Sequence, residues 1–405
     1  MAVGISKLPE FTPVKGLRIG VASAGIKRVG RKDIVLMEID CGATTSAVFT
    51  LNQFCAAPVQ LSKKHLATAP TRYLLINTGN ANAGTGSRGM ADAQRTCNVL
   101  AEKTGVSPEA VLPFSTGVIG EYLPVDKVIN ALDDAIANLS DNAWALAAEG
   151  IMTTDTRPKG VSRKIELSVG TITLAGISKG AGMICPNMAT MLGYIACDAK
   201  VSQAALDKIL TNAVNASFNR ITIDGDTSTN DSCVLIATGK AGDAEVVEGS
   251  ADYALLSEAV TEAFRELAQA IVRDGEGATK FITITVEGAQ TSSDALKVGY
   301  AIAHSPLVKT ALFASDPNWG RILAVVGRAG LDKLDIDRVN IKLDDVCIVD
   351  KGEKSASYTE ALGKAVMSKE EILIRVNLGA GDATETIWTT DLSHEYVTIN
   401  AEYRT

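Results

Sequence analysis

The stretch Lys179-Gly180-Ala181-Gly182-Met183-Ile184-Cys185-Pro186-Asn187-Met188-Ala189-Thr190-Met191-Leu192-Gly193-Tyr194 sets a threonine after a small residue in a glycine-rich, locally apolar run. A threonine hydroxyl is a poor nucleophile until a base takes its proton. One solution uses the residue's own α-amino group, freed by cutting the preceding peptide bond. Here that bond is Ala189–Thr190. Ala189 offers little hindrance to attack on its carbonyl by the Thr190 hydroxyl. The resulting ester, opened by water, leaves an N-terminal threonine, so the chain would activate itself.

Taken alone, a β-branched residue among Met, Ala and Leu packs in a core. The wider sequence changes that reading. Ser115-Thr116-Gly117, Asp155, the run Asp224-Gly225-Asp226-Thr227-Ser228-Thr229-Asn230-Asp231 and Asp316-Pro317-Asn318-Trp319-Gly320-Arg321 are polar, glycine-punctuated loops that point to one site.

At 405 residues, 46% hydrophobic and 21% charged, the chain reads as an ordinary globular protein with a large core and more than one domain. A net charge of −8 argues against nucleic acid and anionic membrane as partners. It leaves room for an anionic substrate held by a local lysine. Seven cysteines with no Cys-x-x-Cys pair argue against a complete disulfide framework and for a reducing, cytoplasmic setting. His65, His304 and His394 have no metal-ligand spacing, so no metal is expected. Neither an export signal nor a membrane span is expected, since the start lacks an apolar core and no run reaches ~18 apolar residues.

Short β-rich runs alternate with amphipathic helices, the pattern of a mixed α/β protein. Ile34 to Phe49, Tyr73 to Ile76 and Ala110 to Phe114 read as strands, the last two ending in Asn-Thr-Gly and Ser-Thr-Gly turns. Leu206, Ile209, Leu210, Ala213 and Val214 make one helical face, and Leu256, Val260, Phe264, Leu267 and Ile271 another. Lys280 to Gly288 alternates Ile282, Ile284 and Val286 as a half-buried strand. Strands with a helix follow to about Asp391, and a loose domain boundary falls near 280.

These motifs closely resemble the ornithine acetyltransferase family, also called glutamate N-acetyltransferase. The resemblance covers essentially the whole chain. It runs through Asn77-Thr78-Gly79-Asn80-Ala81-Asn82-Ala83, Ser115 to Gly120, Lys179 to Leu192, Ser217-Phe218-Asn219, Asp224 to Asp231 and Asp274-Gly275-Glu276-Gly277-Ala278-Thr279-Lys280. It continues through Ser305 to Thr310, Asp316 to Arg321 and the ending Asn400 to Thr405. His304 stands where the family leads one to expect Asn, at a peripheral position.

The resemblance implies a self-processing α/β sandwich of the aminopeptidase/ornithine-acetyltransferase type, layered like the N-terminal-nucleophile hydrolases, with a smaller C-terminal α/β domain. Residues 1–280 would form the catalytic region, cut into an α chain 1–189 and a β chain 190–405. Residues 281–405 would form the second domain, its terminal segment returning to the active site. The implied reaction moves acetyl from N2-acetylornithine to glutamate through an acetyl-Thr190 ester in arginine biosynthesis, with ping-pong kinetics and no cofactor. Acetyl-CoA is an added donor if the enzyme is bifunctional. The implied assembly is an α2β2 heterotetramer.

By the same resemblance Thr116 and Gly117 form the oxyanion hole, and Thr153, Lys179, Thr190, Glu276, Asn400 and Thr405 bind substrate. The α-amino group of Thr190, with an ordinary pKa of about 7.7–8.0, would take the hydroxyl proton and return it to the leaving amine.

Two motif readings fail on spacing. The 224–231 run lacks the EF-hand order and its twelfth-position Glu, so it is expected to be a structural loop near the site. The glycines at 180 and 182 lack the P-loop form. The competing function is an amidohydrolase or aminopeptidase on a related scaffold, in which water resolves the acyl-enzyme. Its usual nucleophile is serine, which Thr190 argues against. A third class, a non-enzymatic binding protein, would neither cleave nor acylate.

Overall fold

Strands β4 and β5, paired in parallel, organise the first layer, and the computed structural model of the chain describes residues 2–4, 7–168, 170–185 and 191–402. Among these, fifteen strands are numbered in chain order. The first sheet runs β1 (Leu17–Ala22), β2 (Ile34–Ile39), β4 (Tyr73–Asn80), β5 (Val111–Val118). The second runs β3 (Thr44–Phe49), β9 (Ser232–Ala237), β8 (Leu192–Cys197), β7 (Gly170–Lys179), β6 (Lys159–Leu167).

The two sheets share one core. Leu74 and Ile76 of β4 and Leu112 and Phe114 of β5 pack with Ala175 and Ile177 of β7 and Tyr194 of β8. Side chains alternate across a strand, so the opposite faces need their own covers. Tyr73 and Leu75 point into a core with Cys97, Leu100 and Ala101 of the helix Gly86–Thr104. Ile195 and Cys197 of β8 pack with Ile209 of the helix Gln203–Asn215 and with Phe264 and Leu267 of the helix Ala251–Arg273. The result is an α-β-β-α sandwich, as expected of the α/β class, and the two periodic stripes read in the sequence are the buried faces of those two helices.

The third sheet runs β13 (Glu353–Lys354), β12 (Val346–Asp350), β11 (Asn340–Leu343), β14 (Glu371–Asn377), β10 (Phe281–Ala289), β15 (Ala383–Thr390). It carries a core of its own with Val298, Ile302 and Val325. Trp388 ties it to the sandwich, its carbonyl accepting the Thr222 N–H at 3.0 Å.

Two expectations need correction. The run Ile34 to Phe49 is two strands in different sheets, because the chain turns at Asp40 to Ala43 and β3 leaves to pair with β9. The segment after 280 holds four α-helices before Asp391, at Ser292–Ala303, Pro306–Phe313, Trp319–Gly327 and Glu360–Met367, and a single 3-10 turn at Ile336–Arg338, rather than one helix. All four α-helices begin at capping residues, Thr291, Ser305, Asn318 and Thr359, whose side chains accept from the first turn.

Candidate active site

Thr116 and Gly117 sit near the C-terminal end of β5, in register with Thr78 and Gly79 of β4. Gly117 has φ +136°, and a Cβ there would stand 2.5 Å from the Asn80 nitrogen and closer still to the Gly79 carbonyl carbon. Only glycine fits that approach. Polar side chains lock the paired ends: Ser115 Oγ donates to Asn77 Oδ1 at 2.6 Å, and Asn77 Nδ2 donates to the Asn80 carbonyl at 3.0 Å.

Lys179 closes β7 opposite this turn, and its ammonium donates to Thr116 Oγ1 at 3.1 Å. An ammonium can only donate. The Thr116 oxygen is therefore the acceptor, and its own proton is left to point elsewhere. Burial pushes the Lys179 ammonium below its ordinary pKa, against the opposing pull of Asp155, Asp231 and Glu276.

Asp155 holds two loops together. Its Oδ2 accepts the Thr153 N–H at 2.9 Å and its Oδ1 the Gly180 N–H at 2.7 Å, while Lys159 Nζ bonds Oδ1 at 2.6 Å. Lys159 also bonds Asp274 Oδ2 at 2.7 Å, and that carboxylate accepts the Thr156 N–H at 3.0 Å. Burial would raise the Asp155 carboxyl, but Lys159, Lys179 and the Thr153 N–H outweigh it and hold it well below the usual carboxylate range. This buried trio links the turn of Thr153, the start of the Gly180 loop and the loop after Asp274 that carries Glu276.

The Glu276 N–H bonds the Ala181 carbonyl at 2.8 Å. Its carboxyl packs where a Gly182 side chain would be, with a Cβ there only 2.5 Å from the carboxyl carbon. Asn400 Nδ2 donates to Glu276 Oε2 at 2.8 Å from the helix His394–Ala401. Ser393, the cap of that helix, donates to the Gly277 carbonyl at 2.6 Å, and Tyr396 OH donates to Asp224 Oδ2 at 3.2 Å.

The structure brings Thr116, Gly117, Thr153, Lys179, Glu276 and Asn400 to one cavity of about 260 Å³, together with Met191 and Leu192. Ala189, Thr190 and Thr405, named in the sequence as cleavage, nucleophile and terminal contact, lie outside the described residues. His304, set aside as peripheral, bonds Thr222 Oγ1 at 3.0 Å through Nε2.

Three lining residues were not singled out individually from the sequence: Ser228, Asn230 and Asp231. Their only signal was the polar 224–231 run. Asn230 Nδ2 donates to the Ala81 carbonyl at 2.6 Å and the Ser115 carbonyl at 3.0 Å, so the loop is clamped to the strand end that carries Thr116 and Gly117. Burial pushes the Asp231 carboxyl well up, with Lys179 and Ser228 opposing, and its Oδ2 has no hydrogen-bond partner among the described residues. Lys159, and its pairing with Asp274, escaped too, because a buried ion pair 115 residues apart in sequence has no local pattern.

The arrangement suits acyl transfer: hydroxyl and backbone donors at a strand end, a cation beside them, and an amide and carboxylate pair opposite. No group of three or more His, Cys, Asp or Glu that could hold a metal ion occurs among the described residues, and no helix there is long and apolar enough to cross a membrane.

The chain is similar to known proteins along nearly its whole length. The ArgJ family model matches residues 18–405. The arginine biosynthesis bifunctional protein ArgJ of Pseudomonas fluorescens (strain Pf0-1) is 62% identical over 406 residues, covering 100% of both chains. The protein of that name from Methylococcus capsulatus (strain Bath) is 56% identical over 396 residues, 98% of this chain and 97% of its own. The crystal structure of arginine biosynthesis bifunctional protein argJ from Bacillus halodurans is 37% identical, with a TM-score of 0.48 over 50% of this chain and 95% of that one.

Proposed function

The chain belongs to the ArgJ family, and on that premise we propose that it is a self-processing glutamate N-acetyltransferase. It takes acetyl from N2-acetylornithine, and also from acetyl-CoA in a second, amino-acid N-acetyltransferase activity. What supports the reading is the single cavity in which the strand-end donors Thr116 and Gly117 face Lys179, Glu276 and Asn400 beside Met191, the residue that follows Thr190.

In this reaction the chain first cuts itself between Ala189 and Thr190. The Thr190 α-amine then takes the hydroxyl proton as the oxygen attacks the acetyl carbonyl. A C–O bond forms, the amide C–N bond breaks, and the proton passes to the departing ornithine nitrogen. With acetyl-CoA the bond broken is C–S and the proton goes to the thiolate. The glutamate amine then attacks the ester, forming the new amide, and its proton returns to the threonine oxygen. The Thr116 hydroxyl and Gly117 N–H carry the negative oxygen in both halves. Thr153, Lys179, Glu276, Asn400 and Thr405 hold the amino acids, Lys179 through a carboxylate and Glu276 through an ammonium.

Residues 1–280 form the self-cleaving catalytic region and residues 281–405 a second domain, whose last helix returns to the site. The α and β chains assemble as α2β2 and work in the cytoplasm without a cofactor.

Intact mass spectrometry before and after N2-acetylornithine tests cleavage and acylation together. Two chains, 1–189 and 190–405, are expected, the second gaining one acetyl group, while Thr190→Ala stays whole. An active wild type that remains a single unacylated chain overturns the reading.

A further inference from the structure

A second cavity, of about 400 Å³, adjoins the first and shares Gly117, Val118, Thr153 and Thr154 with it. Its outer wall is the loop between β1 and β2, Gly25-Ile26-Lys27-Arg28-Val29-Gly30-Arg31, from which Lys27, Arg28 and Arg31 line the space. The loop is built, not loose. Asp33 accepts the N–H of Ala24 at 2.5 Å and of Ile26 at 2.6 Å with its two oxygens, and Lys127 Nζ holds the Gly25 carbonyl at 2.6 Å. Arg31 donates to the Met152 carbonyl at 2.6 Å, bracing the turn of Thr153. Lys27 and Ile26 lie against Gly79, the register partner of Gly117.

Two observations need an occupant. In a chain of net charge −8, three cations line this cavity against two carboxylates, Asp33 and Glu402, so the local balance is positive where the global one is negative. The first cavity, at about 260 Å³, is sized for an amino acid, whereas 400 Å³ falls in the ~300–1,000 Å³ range of larger ligands. Arginine is suited to phosphate, which its planar fork meets with two parallel bonds. In the proposed reaction Lys179 serves a carboxylate in the inner cavity.

We propose that this second cavity is the donor subsite for the phosphate-bearing end of acetyl-CoA, with Lys27, Arg28 and Arg31 meeting its phosphates and the acyl arm entering the inner cavity past Gly117 and Thr153. The proposal rests on acetyl-CoA being a second donor. Asp33, whose oxygens are engaged by the loop, and Glu402 also line the cavity, so the phosphates lie toward Arg28, on the exposed side.

Initial rates with each donor, for wild type, Arg28→Ala, Arg28→Glu and Arg28→Lys, test it. Arg28 is exposed and makes no hydrogen bond or ion pair among the described residues, so its variants should fold, which a thermal melt checks. The KM for acetyl-CoA should rise about tenfold or more in Arg28→Glu, less in Arg28→Ala and least in Arg28→Lys. The KM values for N2-acetylornithine and glutamate should not move. Adenosine 3′,5′-bisphosphate should compete with acetyl-CoA and not with N2-acetylornithine, and free phosphate should do neither. Equal effects on both donors, no effect on acetyl-CoA, or a rise confined to glutamate would each overturn the subsite. A wild type that uses N2-acetylornithine but not acetyl-CoA overturns the two-donor reading itself and the subsite with it.

Discussion

The Lys179 ammonium donates to the Thr116 hydroxyl across 3.1 Å, joining the end of one sheet's strand to the end of the other's. The bond joins two residues 63 positions apart and makes the Thr116 oxygen an acceptor, so its own proton points elsewhere, as the proposed oxyanion role requires.

Thr116→Val keeps the side-chain shape and removes that donor. Turnover should fall on the order of 10²-fold while the thermal midpoint changes little. Steady-state rates with N2-acetylornithine and glutamate, paired with a thermal melt, check it. Near-normal turnover would remove Thr116 from the oxyanion hole.

Gly117→Ala should fail differently. Its φ of +136° and the approach to Asn80 leave no room for a methyl group, so strain and clash act together. A loss of at least about 2 kcal/mol of stability is expected along with activity, read as a lower urea midpoint at unchanged slope.

Lys159 stands between Asp155 and Asp274, all three buried. Lys159→Met leaves two buried carboxylates without their cation and should cost about 3–5 kcal/mol. The pH dependence follows from Asp155. Its folded pKa lies below the unfolded one, so its contribution is present above the unfolded value and lost as pH falls through the folded value. Wild-type stability should therefore persist well into acid. In Lys159→Met the loss should begin at higher pH, because the main opposing charge is gone. Urea melts across an acid series test this, and identical profiles would contradict it.

The partition of the acyl group separates transfer from hydrolysis. A glutamate amine held by its carboxylates has a far higher effective concentration at the ester than water. With radiolabelled N2-acetylornithine, label should appear in N-acetylglutamate and rise with glutamate in a ping-pong pattern, with free acetate minor. Acetate as the main product at saturating glutamate would assign a hydrolase.

Much of this was legible along the chain. The stripes at 206–214 and 256–271 became buried helix faces, and the alternation after Lys280 became β10, because side-chain periodicity is a local property of backbone geometry. The Thr-Gly pair at the end of a β-rich run was visible for the same reason, since a strand end followed by a turn is written in neighbouring residues. The motifs at 179–192, 224–231 and 274–280 supplied Lys179, Asn230, Asp231 and Glu276 to the first cavity, whereas Asp316 to Arg321, expected at the same site, lines neither that cavity nor the adjoining one.

What the sequence by itself determined is therefore the elements, the family and the chemical groups the site would need. Only the tertiary structure decided that Ile34 to Phe49 divides between two sheets, because both faces of each sandwich sheet are buried and a continuous apolar run names no partner strand. It alone brought in Lys159, gave Asp274 and Asn230 their partners and set the basic loop at 25–31 beside Gly117. Those relations are made by strand pairing and buried charge between segments distant in the chain, where proximity depends on the packed fold and leaves no trace in local spacing.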